Sequence, residues 1–180
     1  MNIQTLLIDA VALIVGIVIH ESAHALAAYA LGDKTARSRG RVSLNPLAHI
    51  DPFGTVLLPL LMLAAGGPVF AFAKPVPVYL NNLKHPKRDE LLVALAGPLS
   101  NVLLALAGAL IGCVLLPLLA GQAAMSLLYY LFSFFMTFIV VNLSLAFFNL
   151  IPLPPLDGFS ILVPFLKGKV LREYYRIQQY

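Results

Sequence analysis

Apolar residues run almost unbroken through four stretches of the chain, at about 6–31, 54–73, 91–120 and 124–151. A bilayer core ~30 Å thick takes about 20 helical residues at ~1.5 Å each. The first, third and fourth stretches exceed that length and predict membrane-spanning helices. The second only just reaches it, and Pro59 and Gly66-Gly67-Pro68 interrupt it. A last apolar run, 159–166, is too short to span. Between these stretches, 32–52 and Lys74-Pro75-Val76-Pro77-Val78-Tyr79 read as extended. The prolines block helix there, and Arg41-Val42-Ser43-Leu44 alternates polar with apolar. The pattern predicts an all-α polytopic membrane protein. It has three core transmembrane helices, a re-entrant or short extra membrane segment, and small extended or β pieces in its loops. No internal repeat or low-complexity tract divides it, so residues 1–180 read as a single membrane-embedded domain.

Composition agrees and removes alternatives. Of 180 residues, 60% are hydrophobic and 11% charged, against roughly 45–50% and about 25% in soluble domains. Mean hydropathy is +0.89. A globule of this size has too little interior to hide so much apolar surface. A soluble enzyme, a disordered chain and a polar nucleic-acid binder are therefore excluded. The single cysteine, Cys113, excludes a disulfide scaffold and a multi-cysteine zinc module.

The net charge of +4 bears on topology rather than on partners. All twelve Lys and Arg fall in three clusters, within 34–41, 74–88 and 167–176. None precedes the first stretch, which also carries Asp9, His20, Glu21 and His24, so a cleavable signal peptide is not expected. The positive-inside rule wants all three clusters in the cytoplasm. Four alternating spans would put the first two on opposite faces. The conflict disappears if 54–73 enters the membrane and returns, turning at its Gly-Gly-Pro break with the irregular backbone buried in protein. The expectation is a multi-pass protein of the cell membrane with its N-terminus outside and its C-terminus cytoplasmic.

His20-Glu21-Ser22-Ala23-His24 is an H-E-x-x-H motif in an otherwise almost wholly apolar helix. Positions i and i+4 share a helix face, with Cβ atoms roughly 5–6 Å apart, so both imidazoles can reach one Zn2+. Glu21, one residue on, is better placed for a water beside the metal and suits a general base. The bland alternative is a pair of hydrogen-bonded packing histidines at a wet helix end. Ionisable groups inside a membrane are costly, and three within five residues need a reason. A catalytic zinc usually takes three protein ligands and leaves a fourth position open. Asp9 lies ~16 Å along the helix from His20, too far to help. His49, Asp51 and His85 sit in loops, where they can be ordinary solvated residues. Asp157 follows Pro152, Pro154 and Pro155, which break the fourth stretch and re-aim the chain. It also precedes Gly158, where an aspartate can simply cap a turn. With three spans the fourth stretch ends on the side of the histidines; with four it ends on the other face. Charge and metal geometry thus favour one topology, with the active site toward the cytoplasm.

The H-E-x-x-H followed by Asn149-Leu150-Ile151-Pro152-Leu153-Pro154-Pro155-Leu156-Asp157-Gly158 resembles the site-2 protease family, intramembrane zinc metalloproteases that cut transmembrane substrates within or near the bilayer. Two further stretches look similar to its short prokaryotic members. One is Asn45-Pro46-Leu47-Ala48-His49-Ile50-Asp51-Pro52-Phe53-Gly54-Thr55; the other is Phe72-Ala73-Lys74-Pro75-Val76-Pro77-Val78, continuing to Ala96-Gly97-Pro98-Leu99-Ser100-Asn101. The resemblance implies that His20, His24 and Asp157 hold one Zn2+ per chain and that Glu21 activates water. It implies that Asn149 polarises the scissile carbonyl or holds the substrate backbone, although an interhelical hydrogen bond would equally explain an asparagine there. Asn101 would line the same cavity or pack, and His49 and Asp51 would order a loop beside the site. The implied partners are a transmembrane protein substrate and the lipid bilayer, with no nucleic acid; no oligomeric state follows. No PDZ-like or nucleotide-sensing module is visible. Many short members continue into another membrane helix, so the chain reads either as cut short at Tyr180 or as a minimal core. Two other classes stay open at this point: an ion or proton transporter, which also buries His and Glu in broken helices, and a catalytically inactive metal-binding regulator, against which the intact Glu21 speaks.

Cysteine-accessibility labelling from one side of the membrane is expected to reach positions near Arg39 and near Lys87 together. Labelling of the two from opposite sides would refute the hairpin topology.

Overall fold

A computed structural model describes residues 3–57, 61–62, 74–120 and 126–178. Its helices are α1 (Ile3–Ala30), α2 (Thr35–Ser38), α3 (Pro86–Leu115), α4 (Leu127–Asn149), α5 (Asp157–Ile161) and α6 (Gly168–Gln178). Among the described residues three helices are long and apolar enough to cross a membrane: α1, α3 with its continuation to Leu119, and α4. No strand occurs among the described residues. Of the two pieces expected to be extended, 74–79 forms no helix, whereas 32–52 is broken by α2 and by a 3-10 turn at Pro46–Ala48. The two pieces are stitched by Lys74 N donating to His49 O at 2.9 Å and Arg41 Nη2 donating to Pro75 O at 3.2 Å. The re-entrant turn expected within 54–73 lies outside the described residues, apart from the π-helical turn Pro52–Leu57 and residues 61–62.

The three long helices pack pairwise on one another. Lipid tails are as apolar as leucine, so association rests on close approach and on hydrogen bonds. Many of the buried positions are accordingly small: Ala12, Gly16 and Ala28 on α1, Gly97, Ala105 and Gly108 on α3, and Ala146 on α4. Large residues face outward, with Leu103, Leu106, Leu110, Val140 and Phe147 each more than half exposed. A Cβ at Gly16 would lie 2.9 Å from Leu145 Cδ1 and 3.1 Å from Asn142 Oδ1, so α1 and α4 can meet there only without a side chain.

The helix ends set the topology. α3 starts at Pro86, ahead of the apolar stretch, because the proline suits a first helical position and Asp89 Oδ2 accepts from His85 N at 2.8 Å. α1 stops at Gly32, whose φ of 118° few other residues adopt. Asp33, fully buried, then accepts hydrogen bonds from Thr35 N and Oγ1, from Tyr79 N at 2.7 Å and from Asn82 Nδ2 at 2.9 Å. One carboxylate thus ties the chain leaving α1 to the chain entering α3, and these bonds outweigh burial to lower its pKa. Lys87 Nζ reaches Leu166 O at 3.4 Å, which brings the tail to the same end. All three basic clusters therefore gather at one end of the bundle, and the chain between α1 and α3 begins and finishes there.

α6 docks at this end through Tyr174, which is 2% exposed. Its hydroxyl donates to Glu90 Oε1 at 2.7 Å and shares a 2.9 Å bond with Ser160 Oγ, while Tyr175 donates to Glu90 Oε2 at 3.1 Å. Burial, reinforced by the Glu90 carboxylate, raises both phenols, Tyr175 to about 12. A hydroxyl whose folded pKa exceeds its unfolded value of ~10 stabilises the fold fully below that pH and loses the contribution as pH rises through the folded value. α6 is therefore expected to stay docked below pH ~10 and to loosen as pH climbs toward 12. Alkaline tyrosinate absorbance checks this: two tyrosines ionise late in the wild type, and in Tyr174→Phe the late fraction shrinks. Ionisation of every tyrosine near pH ~10 would refute it.

Candidate metal centre

His20 and His24 stand one turn apart on the face of α1 that meets α3, and are 6% and 7% exposed. Their rings meet edge to face with centroids 4.6 Å apart, and their Nε2 atoms are 3.0 Å apart. Each Nδ1 faces an oxygen of α3: Asn101 Oδ1 for His20 at 2.6 Å and Val93 O for His24 at 2.7 Å. A backbone carbonyl can only accept, so His24 carries a proton on Nδ1 and, when neutral, turns a bare Nε2 lone pair into the site. Room for both rings comes from Gly97, where a Cβ would lie 2.6 Å from His20 Cε1 and Nε2 and nearer still to His24 Nε2.

Asp157 arrives from the far end of the sequence. α4 ends at Asn149, the chain turns through 150–156, and α5 opens with Asp157. Gly158 lets α5 sit on the end of α4, since a Cβ there would strike the carbonyls of Leu150 and Ile151. Asp157 Oδ2 thereby comes 3.2 Å from His20 Nε2, and Oδ1 comes 3.3 Å from His24 Nε2. Among the described residues these three side chains form a group able to hold a metal, with one ligand atom from each inside 4.8 Å of the others.

The donor set fits zinc. Two imidazoles and a carboxylate converge, and among the described residues Asp157 Oδ2 is buried without a hydrogen-bond donor, so the site is short of positive charge. Tetrahedral zinc with bonds of ~2.05 Å separates its ligand atoms by ~3.3 Å. The two nitrogens are 3.0 Å apart here, and each has a different oxygen of Asp157 near it, Oδ2 at 3.2 Å from His20 and Oδ1 at 3.3 Å from His24. Two nitrogens and a carboxylate leave a fourth position for water or substrate.

The same groups open onto a cavity of about 800 Å3, lined also by Glu21, Asn149, Pro75 and Val76. Asn149 Nδ2 donates to Leu145 O within its own helix at 2.9 Å, so the bond it makes is intrahelical rather than interhelical. The other sequence candidates lie apart. His49, 1% exposed, bonds Ser43 O at 2.8 Å and Ser22 Oγ at 3.3 Å, pinning its loop behind the H-E-x-x-H turn. Asp51 Oδ1 caps a turn by accepting from Phe53 N and Gly54 N. Asn101 belongs to the centre through His20, and its amide nitrogen donates to Asn142 Oδ1 at 2.8 Å. Asn142 escaped the sequence reading. Its signal was there, since it stands two turns before Asn149, on the same face of an otherwise mostly apolar helix. Glu90, at the start of α3, also lines the cavity and was passed over.

The model for peptidase family M50 matches residues 8–178. A protein of Bacillus subtilis named as a candidate zinc metalloprotease, YwhC, is 44% identical over 155 residues, which cover 84% of this chain and 66% of that one. The similarly named Rip2 of Mycolicibacterium smegmatis is 32% identical over 157 residues, covering 86% of this chain and 55% of its own. Rip2 of Mycobacterium tuberculosis is 30% identical over 164 residues, covering 88% and 57%. The chain thus spans between just over half and just under two thirds of the length of these relatives. No solved structure matches it.

Gly97→Ala tests the centre directly. The added methyl has nowhere to go between two hydrogen-bonded rings, and such overpacking costs about 1–3 kcal/mol. Zinc content of the purified variant is expected to fall to a small fraction of the wild-type value with helical circular dichroism retained. Full zinc retention would show that the rings can move aside.

Proposed function

Because this chain belongs to peptidase family M50, we propose that it is a membrane-embedded zinc endopeptidase that hydrolyses peptide bonds in or near the transmembrane segments of membrane-protein substrates. The reading rests on one observation: Glu21 faces the same cavity as the Nε2 atoms of His20 and His24 and the carboxylate of Asp157. His20, His24 and Asp157 hold one zinc per chain. Bound zinc supplies Lewis-acid polarisation of the substrate carbonyl and lowers the pKa of water toward ~7. Glu21 takes the proton of the attacking water and passes it to the leaving amine. Asn149, on the cavity wall, hydrogen-bonds the substrate backbone with the amide atoms that Leu145 leaves unused.

A peptide bond inside a helix is shielded by its own hydrogen bonds, so the substrate must unwind locally. The extended segment around Val76 and Val78 lines the cavity and offers backbone to an unwound strand. The end of the bundle that gathers the basic clusters also holds the centre, so the positive-inside rule puts the active site and α6 on the cytoplasmic side. Residues 1–180 act as one membrane-embedded unit in this reading.

Zinc content and cleavage of a model transmembrane substrate, measured on wild type and Glu21→Gln, test it. The variant is expected to keep its zinc and to lose at least about 10²-fold in cleavage rate, the contribution typical of a general base. Equal cleavage by the two proteins would refute the role of Glu21, and undiminished cleavage after chelation would refute the role of zinc.

A further inference from the structure

Three buried polar side chains in the bundle form one directed chain. Asn142 Nδ2 donates to Phe138 O at 2.8 Å, Asn101 Nδ2 donates to Asn142 Oδ1 at 2.8 Å and to Gly16 O at 3.2 Å, and Asn101 Oδ1 meets His20 Nδ1 at 2.6 Å. Asn101 and Asn142 are both 0% exposed. The direction of this chain has only one solution. Phe138 O and Gly16 O are backbone carbonyls and can only accept, so both amides must turn their nitrogens toward them. Asn142 then presents its oxygen to Asn101, and Asn101 presents its oxygen to His20.

We propose that Asn101 and Asn142 are positioning residues that lock His20 in the tautomer protonated on Nδ1, leaving Nε2 free as a metal donor. The proposal rests on the zinc-protease reading for its purpose, but the lock itself is a property of the fold. His24 needs no such device, because its Nδ1 already faces the carbonyl of Val93. His20 lies deeper in the bundle, and its Nδ1 meets a side-chain amide, which could turn either end toward it. Reversed, the Asn101 amide would offer N–H to Nδ1 and leave the proton of a neutral ring on Nε2, where a metal would have to displace it. Asn142 prevents the reversal from across the bundle. The outer partners of metal-bound histidines generally act in this way, by fixing tautomer and ring orientation, and their loss typically costs 10–100-fold in metal affinity.

The test uses the full chain in detergent micelles with 15N-labelled histidine. Long-range 1H–15N spectra of the metal-free protein, at a pH about two units above the ~6.5 of free imidazole, report the tautomer of each ring. Chelator competition gives the zinc affinity. In wild type, His20 is expected wholly in the Nδ1–H form. In Asn101→Leu it becomes a mixture and zinc binds 10–100-fold more weakly. In Asn142→Leu, where only the longer bond to Gly16 O still orients Asn101, the mixture and the affinity loss are expected to be smaller. His24 is the internal control and stays in its Nδ1–H form throughout. An unchanged His20 in both leucine variants overturns the proposal; an unchanged His20 in Asn142→Leu alone removes Asn142 from it. A shift of His24 together with His20 also overturns it, because that is general repacking. Failure of the protease reading would look different: the wild-type tautomer would still be locked, but the protein would not cleave.

Discussion

Two imidazole nitrogens held 3.0 Å apart and facing a carboxylate need a positive charge between them, and the bundle is arranged so that they cannot escape one another. In water the rings would turn away and hydrate. Here each Nδ1 is committed to an oxygen on α3, and the helix wall behind them is a glycine. Rotating either ring breaks a buried hydrogen bond to α3. The geometry of a tetrahedral site is therefore built in advance by protein contacts, and a cation entering it meets donors already close to its preferred spacing.

That requirement fixes how the chain must travel. The three converging side chains come from α1 and α5, near the two ends of the sequence, so α5 has to return to the end of the bundle where α1 finishes. α3 leaves that end and α4 comes back to it. This works only if the connection from α1 to α3 stays at the same end, and Asp33 supplies the tie by bonding Tyr79 N and Asn82 Nδ2. The small residues at the helix contacts follow from the same demand. Side chains as short as those of His20 and Asn101 can bond across two helices only when the backbones come close, and Gly16 and Gly97 permit that approach.

The centre was legible where chemistry interrupts a simple pattern. Polar groups four residues apart in an apolar helix stand out, so His20, Glu21 and His24 needed no structure to find. Asp157 was reachable because three prolines end a span just before it and the basic clusters say at which face that span ends. Other features were not legible, for physical reasons. The start of α3 lies in a charged run that reads as loop, and becomes helix through a proline at its first position and the Asp89 bond to His85. Asn142 has no titratable chemistry and no motif around it. Its spacing from Asn149 marks it as a polar position on the same face of α4, but its role comes from Asn101 on another helix, which spacing along one chain does not disclose. The role of Glu90 likewise depends on two tyrosines more than eighty residues away.

Those tyrosines bear on the metal centre through α5. A helix of five residues cannot hold its own shape in water or at a membrane surface, because the cost of its first turn is never recovered by propagation. Its position is imposed from two sides. Gly158 seats it on the carbonyls of Leu150 and Ile151 just past α4, and Ser160 joins Tyr174, which is itself anchored to Glu90 on α3. Asp157 thus owes its place to a hydrogen-bond network that joins the start of α3 to α6. The two histidines are fixed by the interior of the bundle, whereas the aspartate is fixed by its polar end. Anything that disturbs α6 should therefore act on Asp157 first and reach the histidines only through it.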